Sequence, residues 1–187
     1  MSGAEEKDPD RFIFGARYIP DHPEDRAKVR TTLSYRALTN LRIGIEYNPM
    51  ASDVSALVNW LALPETRTRP ALMLGTSSDR IGSPKGESFF FTISKNVERW
   101  IKLPIAPYVG AAYGTFKDEL RPITGGNIRL TEQLGALIIY DGENTHTTLS
   151  WTEGRHVLTA MLVQVDNDTF TGGFSYSISF DLPKKSD

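Results

Sequence analysis

The sequence predicts an all-β fold: a closed, antiparallel, up-and-down barrel of about twelve strands, of the kind that crosses a membrane. Three observations predict it. Gly occurs fifteen times and Pro eleven times in 187 residues, and they punctuate the chain at short intervals. The segments between them are rich in Val, Ile, Thr, Tyr and Phe and alternate with period two, as a strand with two unlike faces does. Most of these segments run to about nine to eleven residues, the length a tilted strand needs to cross a bilayer, whereas ordinary globular strands average about five or six.

In chain order the predicted strands are 11–19, 28–37, 40–48, 54–64, 69–78, 86–96, 105–116, 122–130, 133–142, 144–152, 156–166 and 169–181. In the second, Leu33, Tyr35 and Ala37 oppose Arg30, Thr32, Ser34 and Arg36. The third sets Leu41, Ile43, Ile45 and Tyr47 against Arg42, Gly44, Glu46 and Asn48. The fourth, fifth and eleventh are apolar on both faces over 54–63, 71–77 and 157–165. In the sixth, Phe89, Phe91 and Ile93 alternate with Ser88, Thr92 and Ser94, and Phe90 breaks the pattern. In the tenth, Thr145, Thr147, Leu149 and Trp151 alternate with His146, Thr148, Ser150 and Thr152. The last is the clearest: Gly172, Phe174, Tyr176, Ile178 and Phe180 share one parity, and only hydroxyls and glycine occupy the other. Tight turns near Thr39, Thr131 and Gly154 alternate with longer loops at 19–27, 48–53, 79–86 and 117–121. This arrangement puts the tight turns and both termini on one rim.

Parity alone does not say which face is dry. A soluble sandwich or lipocalin-like barrel turns its apolar face inward; a membrane barrel turns it outward. Strand length favours the membrane. So do aromatic residues near predicted strand ends, Tyr18, Tyr47, Trp60, Trp100, Tyr140, Trp151 and Phe180, whose rings suit the two membrane–water interfaces. The predicted lipid-facing set is Leu41, Ile43, Ile45, Phe174, Tyr176, Ile178 and Phe180. The predicted lumen-lining set is Arg17, Arg30, Arg36, Arg42, Glu46, Arg129 and Asp141, which would leave a mildly positive lumen, either plugged by ion pairs or conducting narrowly. The loops read as too short to fold into a selective constriction.

The composition removes several function classes. With 21 basic and 23 acidic residues the net charge is −2, which gives no footprint for nucleic acid. Cysteine is absent, so disulfides and thiolate chemistry are excluded. Mean hydropathy is −0.30, compatible with a soluble β protein and with a barrel whose interior is polar. Residues 1–10 are polar and contain no secretory h-region, so an exported chain is expected to have lost its signal or to enter an organellar outer membrane without one. The expected organisation is a disordered segment 1–10, a barrel domain 11–182 and a polar tail 183–187.

The stretch from Leu33 to Tyr47, with Leu38-Thr39-Asn40 at its turn, resembles a hairpin of Gram-negative outer-membrane β-barrels. Gly173-Phe-Ser-Tyr-Ser-Ile-Ser-Phe180 is similar to the β-signal read by barrel-assembly machinery, although seven residues follow Phe180 here and the signal is usually terminal. A narrower resemblance, carried by Arg69–Gly75 with Asp79 and Gly82 and by Tyr140–His146, is to YjbH-like barrels linked to exopolysaccharide secretion. That family is larger than this chain. The resemblance implies an outer-membrane location, membrane lipids and other envelope subunits as partners, and a passive envelope role.

No motif for chemistry accompanies the strands. There is no phosphate-binding Gly-rich loop, no Gly-x-Ser-x-Gly elbow and no His-Glu-x-x-His. Among the three histidines, His22 reads as a solvated loop residue and His156 as an interface residue. His146 shares a strand face with Ser150, but about 13 Å apart along the strand, too far for a Ser–His hydrogen bond. Acids at Asp79, Asp118, Glu119, Asp141, Glu143, Asp166 and Asp168 fall in loops without EF-hand spacing, so no metal and no cofactor is expected. The expectation is a non-enzymatic outer-membrane barrel, structural or narrowly conducting. The alternatives are a soluble lipocalin-like barrel or sandwich binding an apolar ligand and, more remotely, a lipid-modifying barrel enzyme.

Overall fold

In the computed structural model twelve antiparallel strands close on themselves, each paired with its neighbours in sequence and the first with the last. The structure describes residues 11–166 and 169–181; the expectations for 1–10 and 183–187, and for Asp168, lie outside the described residues. In chain order the elements are β1 (Phe12–Tyr18), α1 (Asp25–Lys28), β2 (Val29–Leu38), β3 (Leu41–Asn48), β4 (Asp53–Leu63), β5 (Ala71–Ser78), β6 (Glu87–Ser94), α2 (Glu98–Ile101), β7 (Ile105–Gly114), β8 (Glu119–Arg129), β9 (Leu134–Tyr140), β10 (Thr145–Glu153), β11 (His156–Asp166) and β12 (Thr169–Phe180). Both helices are single turns inside connections, and the β-rich sequence around them gave no reason to expect either.

Closure depends on the seam between β1 and β12. Phe12 lies opposite Phe180 and Tyr18 opposite Phe174. Their rings meet at 5.6 Å, the first pair stacked and the second edge to face, contacts that add about 0.5–1.5 kcal/mol each beyond the area they bury. The Arg11 backbone N–H donates to Asp181 just past the seam. With no free edge left, every strand is satisfied by its neighbours, which is what lets a sheet stand without a second layer over it.

The start of β1 and the end of β12 lie on one rim, together with the turns at 39–40, 130–133 and 154–155. This terminal rim also carries two longer connections, 64–70 and 95–104, the second containing α2. The tight-turn rim is therefore less uniform than the sequence suggested; Pro64 and Pro70 in the first connection and Pro104 in the second have no N–H to donate to a ladder. The opposite rim carries 19–28, 49–52, 79–86, 115–118 and 141–144.

The usual arrangement of a globular protein is reversed. The apolar side chains stand outside: Ile43 is 42% exposed, Ile45 55%, Leu149 45% and Phe174 60%. The residues with buried side chains on the strands are mostly polar, among them Ser34, Glu46, Asn48, Ser55, Ser88, Arg121, His146, Thr148 and Thr171. Glycines make room within. The Phe90 ring covers Gly75, and Tyr108 lies over Gly125, where an added Cβ would sit 2.4 Å and 2.6 Å from ring or hydroxyl atoms. Two aromatics thus fold flat against the inner wall, and the centre stays open.

Candidate functional site: a stoppered lumen

The lumen is closed at the rim opposite the termini by loops that fold inward. Residues 19–28 dip into the mouth, burying Ile19, His22, Arg26 and Ala27. Arg26 is the main tie. Its Nε donates to Asp53 Oδ2 at 2.6 Å, its Nη1 to Ser83 Oγ at 2.9 Å and its Nη2 to the Gly86 carbonyl at 2.5 Å. One guanidinium thereby ties the 19–28 connection to the 79–86 connection and to the start of β4, using the fork of donors that makes Arg suited to such a junction. The loops, expected to be too short to fold into a selective constriction, nevertheless narrow the mouth where 19–28 and 79–86 meet through Arg26 and Ser83.

Asp79 forms the second tie. Its Oδ1 accepts from Arg121 Nη2 at 2.5 Å and from the Arg80 backbone N–H at 2.8 Å, and its Oδ2 accepts from the Phe116 N–H. Both side chains of the Asp79–Arg121 pair are nearly fully buried, and they lie directly over Gly114, where a Cβ would meet them at 2.6 Å. Arg80 pairs with Glu143, which also accepts from Lys117 at 3.0 Å. Of the acids singled out in the sequence, Asp79, Glu119 and Glu143 are thus paired with cations, and Asp118 accepts from the Tyr113 hydroxyl. Among the described residues no three His, Asp or Glu side chains gather as a metal site would require.

The turn 141–144 adds the third tie. Asp141 Oδ1 accepts from the N–H groups of Glu143 and Asn144, at 3.0 and 2.9 Å, and Gly142 takes a positive φ of 98° to close the turn. Oδ2 is left to face His146 Nε2 at 3.0 Å. Burial alone would raise the Asp141 pKa, but the bond from His146 and those two N–H groups hold it below its ordinary value. His22 is not solvated as its Pro/Asp-rich loop suggested. It is buried, its Nδ1 accepts from the Glu24 N–H at 3.1 Å, and burial lowers its pKa. Nothing in the loop composition signals this; the apolar Ile19 three residues earlier is the one available hint.

Below the stopper a cavity of about 530 Å³ occupies the middle of the barrel. Arg17 and Arg30 face each other across β1 and β2 in its wall. Arg30 pairs with Glu46 at 3.3 Å. Glu46, fully buried, also accepts from Asn48 and from the Ser78 hydroxyl. Asp141 lines the same cavity from the stopper side, but its partner is a histidine and not an arginine. Arg42 reaches Ser34 Oγ at 3.5 Å, and Arg36 lies opposite Arg42 in register near the terminal rim. Arg129 stands apart: its guanidinium is half exposed and pairs with Glu98 of α2 at 3.1 Å. Arg121 and Asp79, both central to the site, were missed as a pair because Arg121 fell just outside the predicted eighth strand. At the terminal rim the inward positions Asn127 and Thr152 are exposed, so the lumen opens there.

The outward set is continuous. Leu41, Ile43, Ile45, Phe174, Tyr176, Ile178 and Phe180 share the outer parity of β3 and β12. Among the described side chains, acidic or basic residues occupy outer strand positions only at strand ends, at Glu87, Glu153 and His156. His156 stacks on Tyr176, its Nδ1 2.7 Å from the tyrosine hydroxyl. Exposed Tyr18, Tyr47 and Tyr113 ring the stoppered rim, and Trp60, Trp100 and Trp151 ring the terminal one. No family model matches the chain, and no curated protein matches it.

Proposed function

We propose that the protein is an integral outer-membrane β-barrel with a structural, anchoring role in the envelope and a lumen stoppered at one mouth. The observation that carries this reading is the outer surface: large apolar side chains half exposed on every strand pair and, among the described side chains, no acidic or basic residue between the strand ends. Water would charge a cost for a surface of that extent, since apolar patches on soluble monomers rarely exceed about 300–600 Å². Lipid tails would not. A strand of about ten residues rising about 3.4 Å each and tilted about 40° spans roughly 26 Å, close to the roughly 25 Å apolar band of such barrels. Tyrosines at one end and tryptophans at the other fit the two interfaces. A soluble lipocalin-like barrel would need the inverse, an apolar centre and a charged exterior.

The reading is non-enzymatic. Ser150 spends its hydroxyl on Thr159 at 2.8 Å and His146 spends Nε2 on Asp141, so neither activates the other. The sequence resemblance to outer-membrane barrels, including the β-signal-like Gly173–Phe180, points the same way, and lipids and neighbouring envelope subunits are its partners. The test is whether the folded protein needs detergent and migrates differently on gels before and after boiling. Monodisperse behaviour in plain buffer overturns it. A narrow passive channel is the second reading, favoured by the central cavity; single-channel recording separates it from a closed anchor.

A further inference from the structure

We infer that the lumen is a binding site for an amphipathic monoanion, a carboxylate carrying an aliphatic or aromatic body. The inference rests on the geometry of the lumen alone and not on the surrounding lipid.

The first argument is charge. Arg17, Arg26 and Arg30 lie together near the stopper. Arg26 is taken by Asp53 and Arg30 by Glu46. Arg17 has no carboxylate partner among the described residues. Its Nη2 is 3.5 Å from the Ala27 carbonyl, and its buried Nε has no hydrogen-bond partner. It also sits opposite a second arginine in register, a pair that repels, and Glu46, the acid beside them, is paired with Arg30. At this wall three guanidiniums meet two carboxylates, while Asp141, the lining carboxylate without an arginine partner, is turned to His146 and two backbone N–H groups. Arg17 is left without a paired charge, which is costly when desolvated. An anion entering the cavity would relieve it.

The second argument is the opposite wall. Around the ring of twelve strands, β7 lies six places from β1 in either direction, and β8 six from β2. The wall facing the two arginines is therefore built from β6 to β9. It presents Phe90, Ala112, Ile123, Leu137 and Ile139 to the cavity. The same wall also carries Ser88, Tyr108 and the Asp79-paired Arg121, and Ile81 and Met161 line the cavity elsewhere; the cluster on β6 to β9 is where an apolar body would be covered. The flanks carry hydroxyls, Ser77 on one side and Ser175 and Ser177 on the other. The lumen thus has a cationic wall, an apolar cluster facing it and hydroxyls between. The volume lies inside the range of about 300–1,000 Å³ typical of small-ligand pockets. Inorganic anions would satisfy the cationic wall and leave the apolar cluster bare; a neutral hydrocarbon would do the reverse.

Calorimetric titration of the folded protein with 2-naphthoate, 2-naphthamide and sulfate tests this. A blank of the solubilising medium without protein is subtracted. Naphthoate is expected to bind at least tenfold more tightly than either comparator. Arg17→Gln is expected to lower naphthoate affinity about tenfold or more, the loss of one charge-assisted pair, while Arg17→Lys retains most of it and controls for folding. Leu137→Ser should weaken naphthoate and leave sulfate unchanged. Equal binding of naphthoate and sulfate would overturn the amphipathic assignment. Naphthoate binding that survives Arg17→Gln, or no naphthoate binding to the wild type, would overturn the site. None of these outcomes depends on whether the protein requires detergent.

Discussion

A pair of adjacent substitutions in β10 tests which face of the wall is dry. Leu149 points outward between Ala136 and Ala160, and Ser150 points into the cavity. The two lie at the same depth and differ only in the side of the sheet they face. In Leu149→Arg the small flanking residues offer no acid to pair with, so the guanidinium meets whatever surrounds the barrel. In lipid at mid-depth that costs about 2–4 kcal/mol, a factor of about 30- to 700-fold in the folded-to-unfolded ratio. In water, with Leu149 already 45% exposed, the change should stay within about 0.5 kcal/mol. Ser150→Arg loses the hydrogen bond to Thr159, about 1 kcal/mol, and its arm extends into the open cavity. Guanidinium unfolding from lipid vesicles, followed by the fluorescence of neighbouring Trp151, measures both. The reasoning fails if Leu149→Arg is neutral, or if Ser150→Arg is the costlier of the two.

Other outcomes concern the stopper. Arg26→Ala should free the 19–28 segment, with protease cutting there and a stability loss of about 1–3 kcal/mol, moderated because Asp53 is 28% exposed; intact loops after digestion would argue against the tie. Gly114→Ala should displace the Asp79–Arg121 pair, and Gly114→Val more so, which a falling melting temperature reports. Acidification should loosen the mouth in two stages. His22 has a lowered pKa, so its contribution is present above 6.5 and lost as pH falls below it; the slope in that window should vanish in His22→Asn. Asp141, also lowered, keeps its contribution above 3.8 and loses it on further acidification, a step that Asp141→Asn removes.

The barrel was legible because alternation is a local property. In β3 and β12 every second residue is apolar, and neither strand needs knowledge of the other to be read. The eighth strand shows the limit. Its first residues, Glu119 to Arg121, look like loop because charges flank Leu120, yet they pair with Gly114, Tyr113 and Ala112 as the wall extends past the apolar band. The stopper was illegible for a different reason. Arg26 contacts residues 27 to 60 positions away, and nothing near it in sequence marks it as buried. Arg17 and Arg30 were placed on the inner wall by parity. That an apolar patch faces them follows only from strand order around a closed ring, which no single segment reports.

The distribution of indole rings has an experimental consequence. Trp60, Trp100 and Trp151 are the only tryptophans in the chain, and all sit toward the rim where β1 starts and β12 ends. Intrinsic emission is therefore a one-sided optical label: a quencher confined to one leaflet of a vesicle would dim it or leave it untouched, and so report which way the molecule inserted without any added dye.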